Sequence, residues 1–208
     1  MYIHIFEKKI TIMKKINTSI MAMVLSLGVQ SQVNWKVDAS HSKLGFSVTH
    51  MMISETEGKF KIYEGSVSSK SDADFTDAQV SFSVDVKSIN TDDEKRDGHL
   101  TSPDFFDAEK FPKMSFKSES MKKGKNANEY LVTGDLTIKG ITKKVTLSAK
   151  HSGKLIKTPW STFVTAFNVT GLINRKDFGL TWNAALEAGG VVVSEEVKLT
   201  CTIELIKA

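Results

Sequence analysis

Residues 197–205 read Val197-Lys198-Leu199-Thr200-Cys201-Thr202-Ile203-Glu204-Leu205. The odd positions are apolar and the even ones polar or charged. Successive side chains of a β-strand point to opposite faces, so this stretch makes a strand with one dry face and one wet one. A helix needs its apolar residues three and four apart, a spacing this stretch does not follow. The same period recurs along the chain. Val80, Phe82, Val84 and Val86 alternate with Ser81, Ser83, Asp85 and Lys87. Leu44, Phe46 and Val48 share one parity, as do Tyr130, Val132, Leu136 and Ile138, and then Val145, Leu147 and Ala149.

Polar turns separate these runs. Lys122 to Asn126 divides a strand over Met114–Met121 from one over Glu129–Lys139, and Lys139-Gly140 reads as a tight hairpin. About eight amphipathic strands result, with no internal repeat and no second domain. Half-wet strands are the antiparallel signature. To bury their dry faces they must close on one core, as a barrel or a two-sheet sandwich. An eight-stranded barrel has an interior that side chains fill or that holds one small ligand. Alternation alone does not separate the two. Helix signals are few and fall between residues 91 and 107. Thr91-Asp92-Asp93-Glu94 reads as a capping box with Thr91 at the N-cap. Ser102-Pro103-Asp104 reads as a second start. One or two short helices are expected there, held by Leu100, Phe105 and Phe106, because neither is stable alone.

The chain has 208 residues, 40% hydrophobic and 25% charged, which suits one soluble domain. Residues 1–31 carry Lys8, Lys9, Lys14 and Lys15 against Glu7, so most of the formal +4 lies there. The nearly neutral remainder lacks the clustered basic face of a nucleic-acid binder. Met13-Lys14-Lys15 followed by the apolar run Ile20 to Val29 and a small residue, Ser31, has the order of a secretory signal. Residues 1–31 are therefore expected to be a signal peptide, with Met13 an alternative start, and 32–208 the domain. The run is too short to span a bilayer, and it lacks the polar stripe of an amphipathic first helix. Cys201 is the only cysteine, which excludes an internal disulfide, and its parity places it inward.

Arg96, Asp97 and His99 sit within four residues and admit three readings. As an active site, His99 is the general base and Asp97 its orienter, on a lipid head group. No serine or cysteine nucleophile shares a comparable motif, and residues two apart on a helix do not face each other. As structure, the group ties a helical connector to a barrel rim; as a ligand contact, it meets a head group. His41, His50, His99 and His151 lack helical zinc spacing, so no metal is expected. His50 ends an inward row and is a candidate for a polar head group. Arg175-Lys176-Asp177 is either a phosphate-holding turn or a solvated one. Met51-Met52 is either an adaptable mouth or a loop anchor.

The ordered set of motifs resembles the YceI-like family. Trp35 to Ser42, Phe46 to His50 and Gly58-Lys59-Phe60 open it. Its most specific segment runs from Asn90-Thr91 through Arg96-Asp97-Gly98-His99-Leu100 and Asp104-Phe105-Phe106-Asp107 to Phe111-Pro112. Gly134 to Gly140 and Asn174 to Leu180 complete it, so that Val33 to Ala208 is covered. One departure is Gly98, where many members carry another small or polar residue; it should loosen the helix end. The resemblance implies an elongated, lipocalin-like antiparallel β-barrel, in the periplasm or outside the cell. It implies a carrier of a long isoprenoid or similar lipid chain, with no metal and no established catalysis. The expected barrel lining is Phe46, Val48, Phe60, Phe82, Val84, Phe116, Leu136, Ile138, Phe167 and Trp182. The expected head-group residues are His50, Arg96, His99 and Arg175. A fully packed interaction module remains the alternative, since six large rings also suffice to fill a small barrel. A homodimer is compatible with every one of these readings.

Overall fold

The computed structural model describes residues 32–187 and 189–208, so the expected signal segment lies outside the described residues. Twelve strands carry the fold. They are β1 (Val33–Val37), β2 (Lys43–His50), β3 (Ser54–Phe60), β4 (Tyr63–Ser69), β5 (Gln79–Asp85), β6 (Ile89–Asn90), β7 (Lys113–Lys123), β8 (Glu129–Ile138), β9 (Ile141–His151), β10 (Ile156–Lys157), β11 (Phe163–Asn174) and β12 (Val193–Lys207). One helix, α1 (Glu94–Thr101), and two 3-10 turns, Val86–Ser88 and Arg175–Phe178, join them.

Eight of the strands close a ring in the order β11-β9-β8-β7-β5-β4-β1-β12, and β12 returns to β11. All the pairings are antiparallel, as half-wet strands require. The closing ladder runs from Val164↔Ile206 to Asn174↔Glu196, almost the whole length of β11. Closing the ring leaves edges only on the short flanking strands, which limits pairing with other chains. The count of strands exceeds eight because the wall is divided lengthwise. The end of β12 pairs with β1 through Trp35↔Lys207, while its earlier part pairs with β2 through Cys201↔Leu44 and Val193↔His50. β3 and β6 extend that upper wall.

Local chemistry explains the joints. Lys139 and Gly140 both have positive φ, the type I′ geometry whose twist matches a hairpin. A bulge between Ser118 and Ser120 switches the parity of β7, so that Met114, Phe116 and Ser118 face inward before it and Met121 after it.

The helical connector differs from the reading of its sequence. Its N-cap is Asp93, whose carboxylate accepts from the Arg96 N–H at 3.0 Å. Thr91 is not the cap, because Asp92 takes a left-handed φ of 60° and turns the chain between them. Thr91 is buried, and its hydroxyl donates to Asp97 Oδ1 at 2.6 Å. Ser102 begins no second helix: it caps the end of α1 with its hydroxyl on the His99 carbonyl at 2.7 Å. The turns that follow bury Phe105 and Ala108.

The core divides into two clusters. One gathers Trp35, Val67, Phe75, Tyr130, Phe167 and Leu205 at the end of the barrel where β1 begins. The other gathers Phe60, Val86, Met114, Ile138, Phe178 and Leu180 towards the α1 end.

Candidate functional site

A cavity of about 440 Å³ runs between the two clusters and contacts residues of both. That is within the range of small-molecule pockets, roughly 300–1,000 Å³. All ten residues expected as barrel lining border it: Phe46, Val48, Phe60, Phe82, Val84, Phe116, Leu136, Ile138, Phe167 and Trp182. Nine of them do so because inward parity on a closed sheet points at the axis, while Trp182 reaches the cavity from the loop between β11 and β12. Phe82 and Phe116 are direct partners across β5 and β7, one of several such pairs on the wall.

The two ends of the cavity differ chemically. At the β1 end Phe75 is wholly buried and plugs the barrel. Its ring lies 5.8 Å from Trp35, 5.1 Å from His151 and 4.9 Å from Phe167. Trp35 is fixed in turn by its indole N–H on Ser69 Oγ at 2.9 Å. His151 satisfies its Nε2 with Thr165 Oγ1 at 2.6 Å, and burial pushes its pKa down. Phase and periodicity give no hint of Phe75, which sits in the β4–β5 loop, outside any strand.

The basic lining residues, His50, Arg96, His99 and Arg175, lie at the α1 end. His50 stands at the last position of β2, half-buried, opposite Val193. Arg96 is committed to Thr91, through Nε to the hydroxyl at 2.8 Å and Nη2 to the carbonyl at 2.7 Å. Asp97 accepts from the Thr91 N–H at 2.8 Å and from its hydroxyl. These three residues form a polar clasp between α1 and the strand that precedes it. His99 projects elsewhere. Its ring meets Phe105 and Trp182 edge-on, each at 5.0 Å, and its Nε2 lies 3.3 Å from Asp104 Oδ2. Asp97 and His99 therefore form no acid–base pair. Phe105 and Trp182 also touch each other at 5.2 Å, so an aromatic cluster with one imidazole stands at this end.

Arg175 corrects the reading of a solvated turn. It is buried, and its guanidinium donates to the carbonyls of Ser194 at 2.8 Å, Val193 at 3.5 Å and Leu180. Burial pushes its pKa down. It fastens the returning loop to β12 while lining the cavity. Carbonyls on three residues accept from three of its five N–H groups, because a buried guanidinium left unpaired is costly. Two of the partners, Val193 and Ser194, lie 18 and 19 residues further along the chain, so spacing does not reveal them.

Leu100, Phe105 and Phe106 also line the cavity, where the sequence marks them only as packing for the connector. Met51, Met52 and Ile53 form the exposed β2–β3 tip, and the Met51 N–H donates to the Val192 carbonyl at 2.8 Å. Val192 borders the cavity, so this tip stands beside its polar end. Of the histidines weighed as metal ligands, His41 alone among the described residues belongs to a group of three ligand-type side chains, on the surface with Asp38 and Glu204. His41 Nδ1 is 2.8 Å from Asp38 Oδ2, which holds the Asp38 carboxyl down at about 2. None of the three borders the cavity.

Comparison with known proteins agrees with this architecture. A UPF0312 protein of Staphylococcus aureus strain N315 is 38% identical over 172 residues, covering 82% of this chain and 96% of the relative. Among solved structures, Burkholderia cenocepacia BcnA is similar with a TM-score of 0.67 at 25% identity, over 81% of this chain and 98% of that one. A Campylobacter jejuni YceI protein gives 0.62 at 29% identity, over 75% and 87%. A polyisoprenoid binding domain from Saccharophagus degradans gives 0.58 at 17% identity, over 84% and 98%, and shares the fold. The family model for the YceI-like domain matches residues 35–205, and this chain belongs to that family.

Proposed function

We propose that this protein is an exported lipid-binding protein that holds one long apolar chain, of the isoprenoid type, along its barrel axis. The observation that carries the reading is the cavity itself: an almost wholly apolar wall reaching from the Phe75 plug to a rim where His50, His99, Arg96 and Arg175 gather. Burial of hydrocarbon contributes about 0.8 kcal/mol per CH₂, so a long chain needs few polar contacts to be held. The rim supplies those few and sets which end of the ligand faces out. The solved domain from Saccharophagus degradans, named for polyisoprenoid binding, shares this fold and supports the choice of ligand class. The export part of the reading rests on the order of charge and hydropathy in residues 1–31. On this reading the protein works in the periplasm or outside the cell.

The test is native mass spectrometry of protein purified from cells without detergent, followed by lipid extraction. The expected result is a mass increment that is released by organic solvent and identified as one polyisoprenoid-type chain per protein. Protein that is fully folded and carries no lipid, and that takes up none from a cell lipid extract, rejects the carrier reading. N-terminal sequencing of the secreted or periplasmic protein tests export, with a start near Gln32 expected.

A further inference from the structure

The loop that joins β9 to β11 presents apolar side chains to water. β10 and β11 pair through Ile156↔Val164 and Lys157↔Phe163 and make a hairpin. Its turn is firmly built: the Thr158 N–H donates to the Thr162 carbonyl, the Ser161 N–H to the Thr158 carbonyl, and the two threonine hydroxyls meet at 2.6 Å. Ser161 takes a positive φ of 64° to close it. What this turn holds out is Trp160, 83% exposed. Leu155, Ile156 and Phe163 on the same hairpin are exposed as well. An indole so bare, on a turn so firmly built, contributes nothing to the core.

Its surroundings are basic. No acidic residue occurs between Asp135 and Asp177. Lys154 and Lys157 lie on the hairpin itself. Lys122, Lys123, Lys125 and Lys150 are exposed at the same end of the barrel, since β7 ends and β9 ends there. None of these six lysines forms an ion pair among the described residues. The acids of that end are engaged: Asp72 with Lys207 at 2.8 Å, Asp77 with Lys70 at 2.7 Å, Asp74 accepting from the Thr76 N–H at 2.9 Å, and Glu129 with Asn126 and Ser148.

We infer that the β10–β11 hairpin docks this protein on an anionic phospholipid bilayer. Trp160, with Ile156, Leu155 and Phe163, enters the boundary between head groups and acyl chains, where an amphipathic indole is favoured. The unpaired lysines meet the lipid phosphates. The other apolar tip, Met51 to Ile53, is followed by Glu55 and Glu57, and Met52 faces Gly190 in the loop that carries Glu187, so it lacks this charge complementarity. Docking through the hairpin leaves the rim of the cavity at the opposite end, facing away from the bilayer. The inference goes beyond the carrier reading and does not depend on what the cavity holds.

Sedimentation with vesicles of phosphatidylglycerol and phosphatidylcholine tests it, at low and at high salt. The wild-type protein is expected to bind mixed vesicles, to bind pure phosphatidylcholine vesicles much less, and to be released by salt. Trp160→Ala is expected to weaken partitioning by about tenfold. Lys154→Glu with Lys157→Glu should do the same through charge, while Ile53→Ser leaves binding unchanged. Thermal melts of each variant confirm that the barrel is intact, which an exposed tip permits. Failure of the wild type to bind, or equal binding by Trp160→Ala, overturns the inference. So does a change in oligomeric state with Trp160→Ala in place of lost vesicle binding, which makes the hairpin a contact between copies. Native mass measured on the same variants reports the cavity separately: retained lipid without vesicle binding rejects docking alone, and vesicle binding without retained lipid rejects the carrier reading alone.

Discussion

Cys201 and His151 are both buried titratable groups, and burial acts on them in opposite directions. Taking a thiolate out of water is costly, so the Cys201 pKa is pushed up to about 11. Its thiol points towards the Gly45 carbonyl at 3.7 Å. Native protein should therefore react with a maleimide at least an order of magnitude more slowly than the urea-unfolded chain at neutral pH, measured by mass shift over time. For His151 the charged form is the protonated one, so burial lowers its pKa from 6.5. A group lowered in the folded state keeps its full contribution above the unfolded value. That contribution is lost as pH falls from about 6.5 towards the folded pKa, because the unfolded chain binds the proton first. Urea midpoints measured across that range should fall with acidity in the wild type and fall less in His151→Asn. His41 works in the opposite sense, since Asp38 raises its pKa and its stabilisation fades as pH rises. It is exposed, so its effect is small. Cys201 was legible as inward from its parity with Leu199 and Ile203. The burial of Arg175 was not, because two of its three partners are carbonyls at the start of β12, 18 and 19 residues away, and no local pattern encodes them.

α1 shows what sequence signals can and do not locate. The presence of a short helix near residue 94 was readable from its acidic start, but its first residue was not. Both Thr91 and Asp93 are good caps, and only the left-handed turn at Asp92 decides between them. The two residues should now separate in experiment. Asp93→Ala removes a surface cap and should cost about 1 kcal/mol. Thr91→Val keeps the shape but strips the hydroxyl that joins Asp97 and Arg96 in a buried position. Leaving part of that clasp unsatisfied should cost about 1–3 kcal/mol, more than the cap. Gly98 is the opposite case. A Cβ there meets nothing within 4 Å, and the residue is helical. Gly98→Ala should stabilise the protein by roughly 0.5–1 kcal/mol, chiefly by restricting the unfolded chain. Chemical denaturation of the three variants side by side orders them. A stabilised Thr91→Val would show that the clasp is not what holds α1 to the wall.

At the scale of the whole molecule, alternation marked the inward rows but was silent on whether they meet. The ten residues read from the sequence as lining border one space, nine of them on strands and Trp182 on a loop, and the open volume among them depends on how their rings pack, which periodicity does not encode. The plug was also hidden, since Phe75 reaches the core from a loop. The next question is what the space does, and Phe82 answers it. Phe82 lies opposite Phe116 on neighbouring strands, and both border the cavity. In a ligand tunnel, the larger ring of Phe82→Trp displaces ligand and leaves the protein packing nearly as it was. The variant should then melt within a few degrees of the wild type and retain fewer or shorter lipid chains in native mass spectra. If instead the walls close on one another when the space is empty, the same ring overpacks a core. That costs about 1–3 kcal/mol, visible as a clear drop in Tm. The pair of measurements is needed because either one alone is ambiguous: a stable variant with unchanged lipid would place Phe82 away from the ligand path. A destabilised variant of a lipid-free parent protein would make the barrel a packed scaffold.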